Sequence, residues 1–167
     1  MRIISAMLVA LLALTIVGCG PTEEQKKMVA DLTTEVTTMV NDATSSLGNI
    51  DNMAGEITTA ISGAQELSTK FPKEAATIND AVTKLTAAKD RLTGVKDNVS
   101  AWLQNYKTPD LATMKFDEVV TKLKTSKDEL TTATTEIQGA LGAAETALTE
   151  YKGIADGLMA KARPRGK

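Results

Sequence analysis

The side chains able to do chemistry are few, and their spacing is poor for it. The 167-residue chain has no His and one Cys. It therefore lacks an imidazole for acid–base work near neutral pH or for a metal. A single thiol makes neither an intrachain disulfide nor a zinc ribbon. Asp117-Glu118 and Asp128-Glu129 are adjacent acids, and paired carboxylates can serve as general acid and base. Neighbours on a helix diverge by about 100°, however, so neither pair converges on one substrate. Ser126 and Lys122 stand four residues apart, a spacing that chance supplies freely on helices. Asn49, Asp51, Asn52 and Glu56 surround Gly55 but lack the D-x-[DN]-x-[DN]-G order of a calcium loop. There is no glycine-rich phosphate loop, and without His there is no Glu-x-x-His di-iron motif. The expectation is a chain with no catalytic, cofactor-binding or metal-ligating residues, and not an enzyme. A formal net charge of −2 gives no electrostatic case for nucleic acid. Trp102, Tyr106 and Phe116 bracket one predicted turn. They form either an aromatic ligand pocket or, the stronger reading, a small core that seals the end of the helices.

The one cysteine has a more specific context. Met1-Arg2 supplies a positive charge, and Ile3 to Val17 is apolar apart from Ser5 and Thr15. As a helix this stretch spans roughly 22 Å, short of a bilayer core of about 30 Å. It reads as the core of an export signal followed by small residues. Ile16-Val17-Gly18-Cys19 resembles the lipobox of bacterial lipoproteins, in which a thiol forms the thioether to diacylglycerol and a small residue before it admits the signal peptidase. The resemblance covers residues 1–19. It implies a signal peptide over 1–18, a lipidated anchor over 19–21 with Cys19 as the acylated residue, and a membrane partner reached through that lipid. Two or three chains anchor stably, since each buried CH₂ contributes about 0.8 kcal/mol. In Gram-negative lipoproteins an Asp after the Cys signals inner-membrane retention. Gly20 stands there instead, which by resemblance favours the outer membrane.

The elements that follow are helical. The four prolines, Pro21, Pro72, Pro109 and Pro164, divide residues 22–162 into three segments, since proline is poorly tolerated within helices. In the first, about 22–70, Val29, Val36, Ala43, Ile50, Ile57 and Ala64 form one row. Leu32, Met39, Ser46, Met53, Ala60 and Leu67 form a second, with Ser46 the one polar break. Spacings of three and four alternate throughout, the signal for coiled-coil-like packing. Thr22 with Glu23 and Glu24 suits its start. The second segment, about 73–106, carries Ile78, Leu85, Leu92 and Val99 with Ala81, Ala88, Val95 and Trp102, and Pro72 suits its first turn. The third, about 110–162, is capped by Thr108 or by Thr113 and carries Phe116, Leu123, Leu130, Ile137, Ala144, Tyr151 and Leu158. The fold class expected is all-α: an elongated antiparallel three-helix bundle with heptad packing. Four helices result if a long helix breaks at Gly48 or at Gly139 and Gly142. Arg163, Arg165 and Lys167 form a basic tail after it.

Short turns between helices of unequal length predict two overhangs. The first helix leaves Val29 and Leu32 uncovered toward the anchor, and the third leaves Leu148, Tyr151, Ile154 and Leu158 uncovered at the far end. Uncovered apolar stripes ask for partners, so self-association or an envelope protein is expected. A lipidated Cys, long heptad helices and a terminal Lys together resemble the murein lipoprotein of Gram-negative bacteria in architecture. That resemblance implies contact of Arg163, Arg165 and Lys167 with peptidoglycan, although this chain is over twice as long and has two proline turns. The functional expectation is a non-catalytic, membrane-anchored helical lipoprotein of the cell envelope with a structural or interaction role. The alternative is an envelope carrier or sensor that holds an apolar ligand such as lipid between its helices.

Overall fold

A computed structural model describes residues 20–162. Cys19 and the residues before it, on which the resemblance to a lipobox rests, and the basic residues Arg163, Arg165 and Lys167 lie outside the described residues. Three α-helices account for nearly all of the rest: α1 (Glu23–Lys70), α2 (Ala75–Asn105) and α3 (Phe116–Ala162), with a single 3-10 turn, Pro72–Glu74, before α2. No strand occurs among the described residues. Among them, no helix is long and apolar enough to cross a membrane.

Local chemistry sets each boundary. Thr22 has extended backbone and accepts from the Gln25 amide at 3.2 Å, while the Gln25 side chain accepts the Thr22 amide at 2.8 Å. This reciprocal capping box satisfies two otherwise orphaned donors, and Glu23 and Glu24 complement the positive end of the helix. At the other end Pro72 occupies the first position of the 3-10 turn, where its missing N–H costs nothing. The Phe71 amide closes α1 on the Leu67 carbonyl at 2.8 Å. α1 is continuous through Gly48, and α3 through Gly139 and Gly142, so the four-helix alternative falls.

α3 starts at Phe116 rather than at residue 110, and neither Thr108 nor Thr113 caps it. Asp110 instead folds the chain into a turn: its carboxylate accepts from the Ala112 amide at 2.9 Å, and its carbonyl accepts from the Thr113 and Met114 amides. Glu118 then reaches back to the Lys115 amide at 3.4 Å. The connection from Tyr106 to Lys115 is therefore ten residues of ordered, non-helical chain, and its Leu111 and Met114 pack on the core.

That connection overturns the predicted overhangs. Lys127 of α3 bonds Glu35 of α1 at 2.6 Å, an offset of 92 residues, which sets Phe116 beside the first turn of α1. The Tyr151 hydroxyl lies against Gly63, which sets Ala162 beside the Phe71 turn. α1 and α3 thus run the same way in full register. α2 runs oppositely: Lys84 bonds Glu150 at 2.6 Å, and Trp102 bonds Glu129 at 2.7 Å. Val29, Leu148 and Leu158, expected to be bare, are 8%, 4% and 5% exposed; Leu32, Tyr151 and Ile154 are half-buried. A short turn would have started α3 level with Val36. The long connection instead carries the chain back along α1 before α3 begins. The overhang argument for self-association goes with it.

The core follows the seven-residue rows. Val36, Ile50 and Ile57 of α1, Leu85 and Leu92 of α2, and Leu123, Leu130 and Ile137 of α3 are at most 2% exposed. Every α1 position of the first row from Val29 to Ala64 is buried. Ser46, the polar break in the second row, is half-buried and returns its hydroxyl to the Asp42 carbonyl at 2.8 Å. The paired threonines do likewise from the exposed faces, as with Thr58 to Ala54 and Thr131 to Lys127, each at 2.8 Å. That bonding satisfies the hydroxyls within the helix, at a slight cost to helix stability. No buried side chain among the described residues is polar or charged.

Candidate functional site

The change in helix number along the molecule creates a concavity among the described residues. Lys96 of α2 pairs with Asp51 of α1, so α2 ends beside about Asp42. Beyond that level the connection replaces a helix, and the step leaves a cleft of about 410 Å³, open to solvent. Ala101, Trp102, Asn105, Tyr106 and Lys107 line it from the α2 end, and Ser126 and Glu129 from α3.

Trp102 and Tyr106, one helical turn apart, stack with ring centroids 4.9 Å apart and 12° between planes. The Trp102 indole N–H donates to Glu129 Oε2 at 2.7 Å, which fixes the ring across α2 and α3. Asn105 Nδ2 donates to the Ala101 carbonyl at 2.8 Å. Partial burial pushes the Tyr106 hydroxyl above the usual tyrosine range, and the Thr108 hydroxyl works the other way. Its phenol is neutral at physiological pH. The cleft thus combines aromatic surface with one ammonium, one carboxylate, a hydroxyl and an amide.

Of the three aromatic residues singled out from sequence, the structure brings two together here. Phe116 packs on the main core cluster, outside the cleft lining. Trp102 and Tyr106 pack on that cluster as well, so they seal the core and line the cleft at once. Lys107 follows Tyr106 in the chain, but spacing along the chain could not have found Glu129 or Ser126 as their neighbours. Glu129 read as part of a solvated acid pair. Its partner across α2 depends on the length of the Tyr106–Lys115 connection.

The other candidates stay apart. Asp117 and Asp128 are exposed, while Glu118 is engaged with the Lys115 amide. Asp51 pairs with Lys96 rather than closing a loop with Asn49 and Glu56. No group of three or more His, Cys, Asp or Glu among the described residues is placed to hold a metal ion.

No protein-family model matches the chain, and neither a curated protein nor a solved structure matches it. The class is therefore set by the fold itself: an all-helical chain of three helices.

Proposed function

We propose that the protein is a lipid-anchored, non-catalytic spacer of the cell envelope with a structural or protein-interaction role. In this reading the three helices form an elongated bundle packed in heptads. The lipid on Cys19 holds one end to a membrane, the outer membrane if the host is Gram-negative. The observation that carries the reading is the parallel, in-register run of α1 and α3. Thr22 and Ala162 consequently stand at opposite ends of helices about 72 Å long at 1.5 Å per residue. The capping box at Thr22 starts α1 three residues after Cys19, leaving almost no slack between anchor and rod. Arg163, Arg165 and Lys167 follow Ala162, so this basic stretch departs from the end remote from the lipid. There it suits an anionic envelope polymer, peptidoglycan included, or an acidic partner.

The test is fractionation of cells expressing the full chain. The wild type sediments with membranes, and Cys19→Ala moves to the soluble fraction. Retention of Cys19→Ala in the membrane fraction would overturn the lipid anchor. Lipid retained by the purified soluble variant in native mass spectrometry would favour the carrier reading instead.

A further inference from the structure

The cleft at the end of α2 is spare in a pure spacer, and its chemistry is specific. We infer that it is a binding site for a neutral sugar ring, with Trp102 and Tyr106 as the apolar wall and Lys107, Ser126, Glu129 and Asn105 as hydrogen-bonding groups.

Its volume is about 410 Å³, much of it open to solvent, so it covers one side of a ligand rather than surrounding it. It is open rather than enclosed, so an apolar ligand would keep much of its surface in water and gain little. A hydroxylated ring does not share that difficulty. One face of a pyranose presents polarised C–H groups, which suit the negative face of an aromatic ring. Its rim presents hydroxyls that both donate and accept.

The polar complement fits that rim. Lys107 makes no ion pair among the described residues, so its three donors are unspent. Ser126 makes no hydrogen bond to the backbone, unlike Thr131 and Thr132 on the same helix. Glu129 uses Oε2 on the indole and keeps Oε1. Asn105 keeps its carbonyl oxygen. One cation and one anion leave the cleft neutral, so an anionic ligand gains from Lys107 but meets Glu129. A neutral ring with hydroxyls in both roles satisfies all four groups.

The site is also built before any ligand arrives. The Glu129 contact locks the indole, and Tyr106 stacks on it, so the aromatic wall loses little side-chain freedom on binding. The ring has two sources in principle, a free sugar or one unit of a glycan chain, and both present the same face and rim.

Trp102 is the only Trp in the chain, so intrinsic indole fluorescence reports this cleft alone. The experiment titrates the full chain, in a detergent without a sugar headgroup, with glucose, N-acetylglucosamine, cellotetraose and chitotetraose. The expected result is a saturable change in emission with a millimolar Kd for at least one sugar. A tetrasaccharide that binds more than tenfold tighter than its monomer identifies a glycan chain as the source; equal affinity per ring identifies a free sugar. Ser126→Ala and Lys107→Ala each weaken binding roughly tenfold, the loss expected of one hydrogen bond to a fixed ligand. Lys124→Ala, on an exposed position outside the cleft lining, leaves it unchanged. The inference is overturned if no sugar gives a saturable change up to about 20 mM, well beyond a millimolar Kd. It is overturned equally if the change persists undiminished in the Ser126→Ala and Lys107→Ala variants. Neither variant lies in the buried core, so a thermal unfolding curve that matches the wild type accompanies each titration.

Discussion

Four ionisable groups in this protein make its stability fall at alkaline pH. Hydrogen bonds to Glu150 and then Asp80 raise the Lys84 ammonium above its ordinary value of 10.5, and a bond to Glu35 does the same for Lys127. Burial raises the Tyr106 and Tyr151 phenols above 10.0, with the Glu66 charge adding to the effect at Tyr151. All four groups hold a proton more tightly folded than unfolded. Their stabilising effect is therefore complete below the unfolded values and disappears as pH rises through the raised folded ones. No His titrates between pH 5 and 8, because the chain has none. The midpoint of urea unfolding should therefore hold steady from about pH 6 to 9 and fall as pH climbs past 10. A midpoint that rises above pH 10 would contradict the assignment. At this scale the sequence was partly legible. Trp102 and Tyr106 drew notice as aromatics at a helix end, whereas Glu129, Glu35 and Glu150 read only as solvated acids. Their partners sit 27, 92 and 66 residues away, and side-chain type carries no information about which distant residue will lie opposite.

Elements were the most legible level, because each boundary has a local cause. Proline marks the α1–α2 turn, and every first-row α1 position from Val29 to Ala64 is buried at the spacing read from the sequence. The glycines were ambiguous, since a Gly on a helical face reads equally as a break or as a tolerated defect. The helices run through them, and a Cβ at Gly48 or Gly142 would meet nothing within 4 Å. Gly in a helix interior costs roughly 0.5–1 kcal/mol relative to Ala. Gly48→Ala and Gly142→Ala should therefore each stabilise the protein by about that amount, read as a higher thermal midpoint by circular dichroism. Destabilisation at either position would mean that the helix breaks there. Gly63 differs, since its added Cβ would come within 2.7 Å of the Tyr151 hydroxyl. There the gain in helix propensity is offset by displacement of the ring, so Gly63→Ala should fall short of the other two. The Tyr106–Lys115 connection was the least legible element. Pro109 and Asp110 announced a turn, but the turn runs alongside α1 instead of reversing sharply, because Leu111 and Met114 find apolar surface to cover there.

The shape of the whole molecule turns on that single connection. Helix lengths read from sequence were nearly right, yet the arrangement inferred from them had bare ends, since a short second reversal was assumed. Ten residues of non-helical chain shift α3 by about the length they span, and the bare ends vanish without any change in the helices themselves. The two arrangements, and the fold-back at the glycines, differ most in the separation of the two ends of the long helices. Glu24 lies in the first turn of α1 and Ala160 in the last of α3, both exposed. With α1 and α3 parallel and in register, Ala160 stands beside Lys70, roughly 70 Å from Glu24 at 1.5 Å per residue. A staggered α3 would lengthen this to about 90 Å, and a fold-back at Gly139 from that staggered start, reversing the last residues to Ala160, would shorten it to about 30–35 Å. Spin labels on Glu24→Cys and Ala160→Cys, with Cys19→Ser removing the native thiol, should give one dipolar distance near 70 Å. A distance near 35 Å would restore the four-helix arrangement, and one near 90 Å the overhangs. Because the proposed anchor and the basic stretch lie just beyond these two labels, the same measurement sets how far from a membrane the protein can present its remote end.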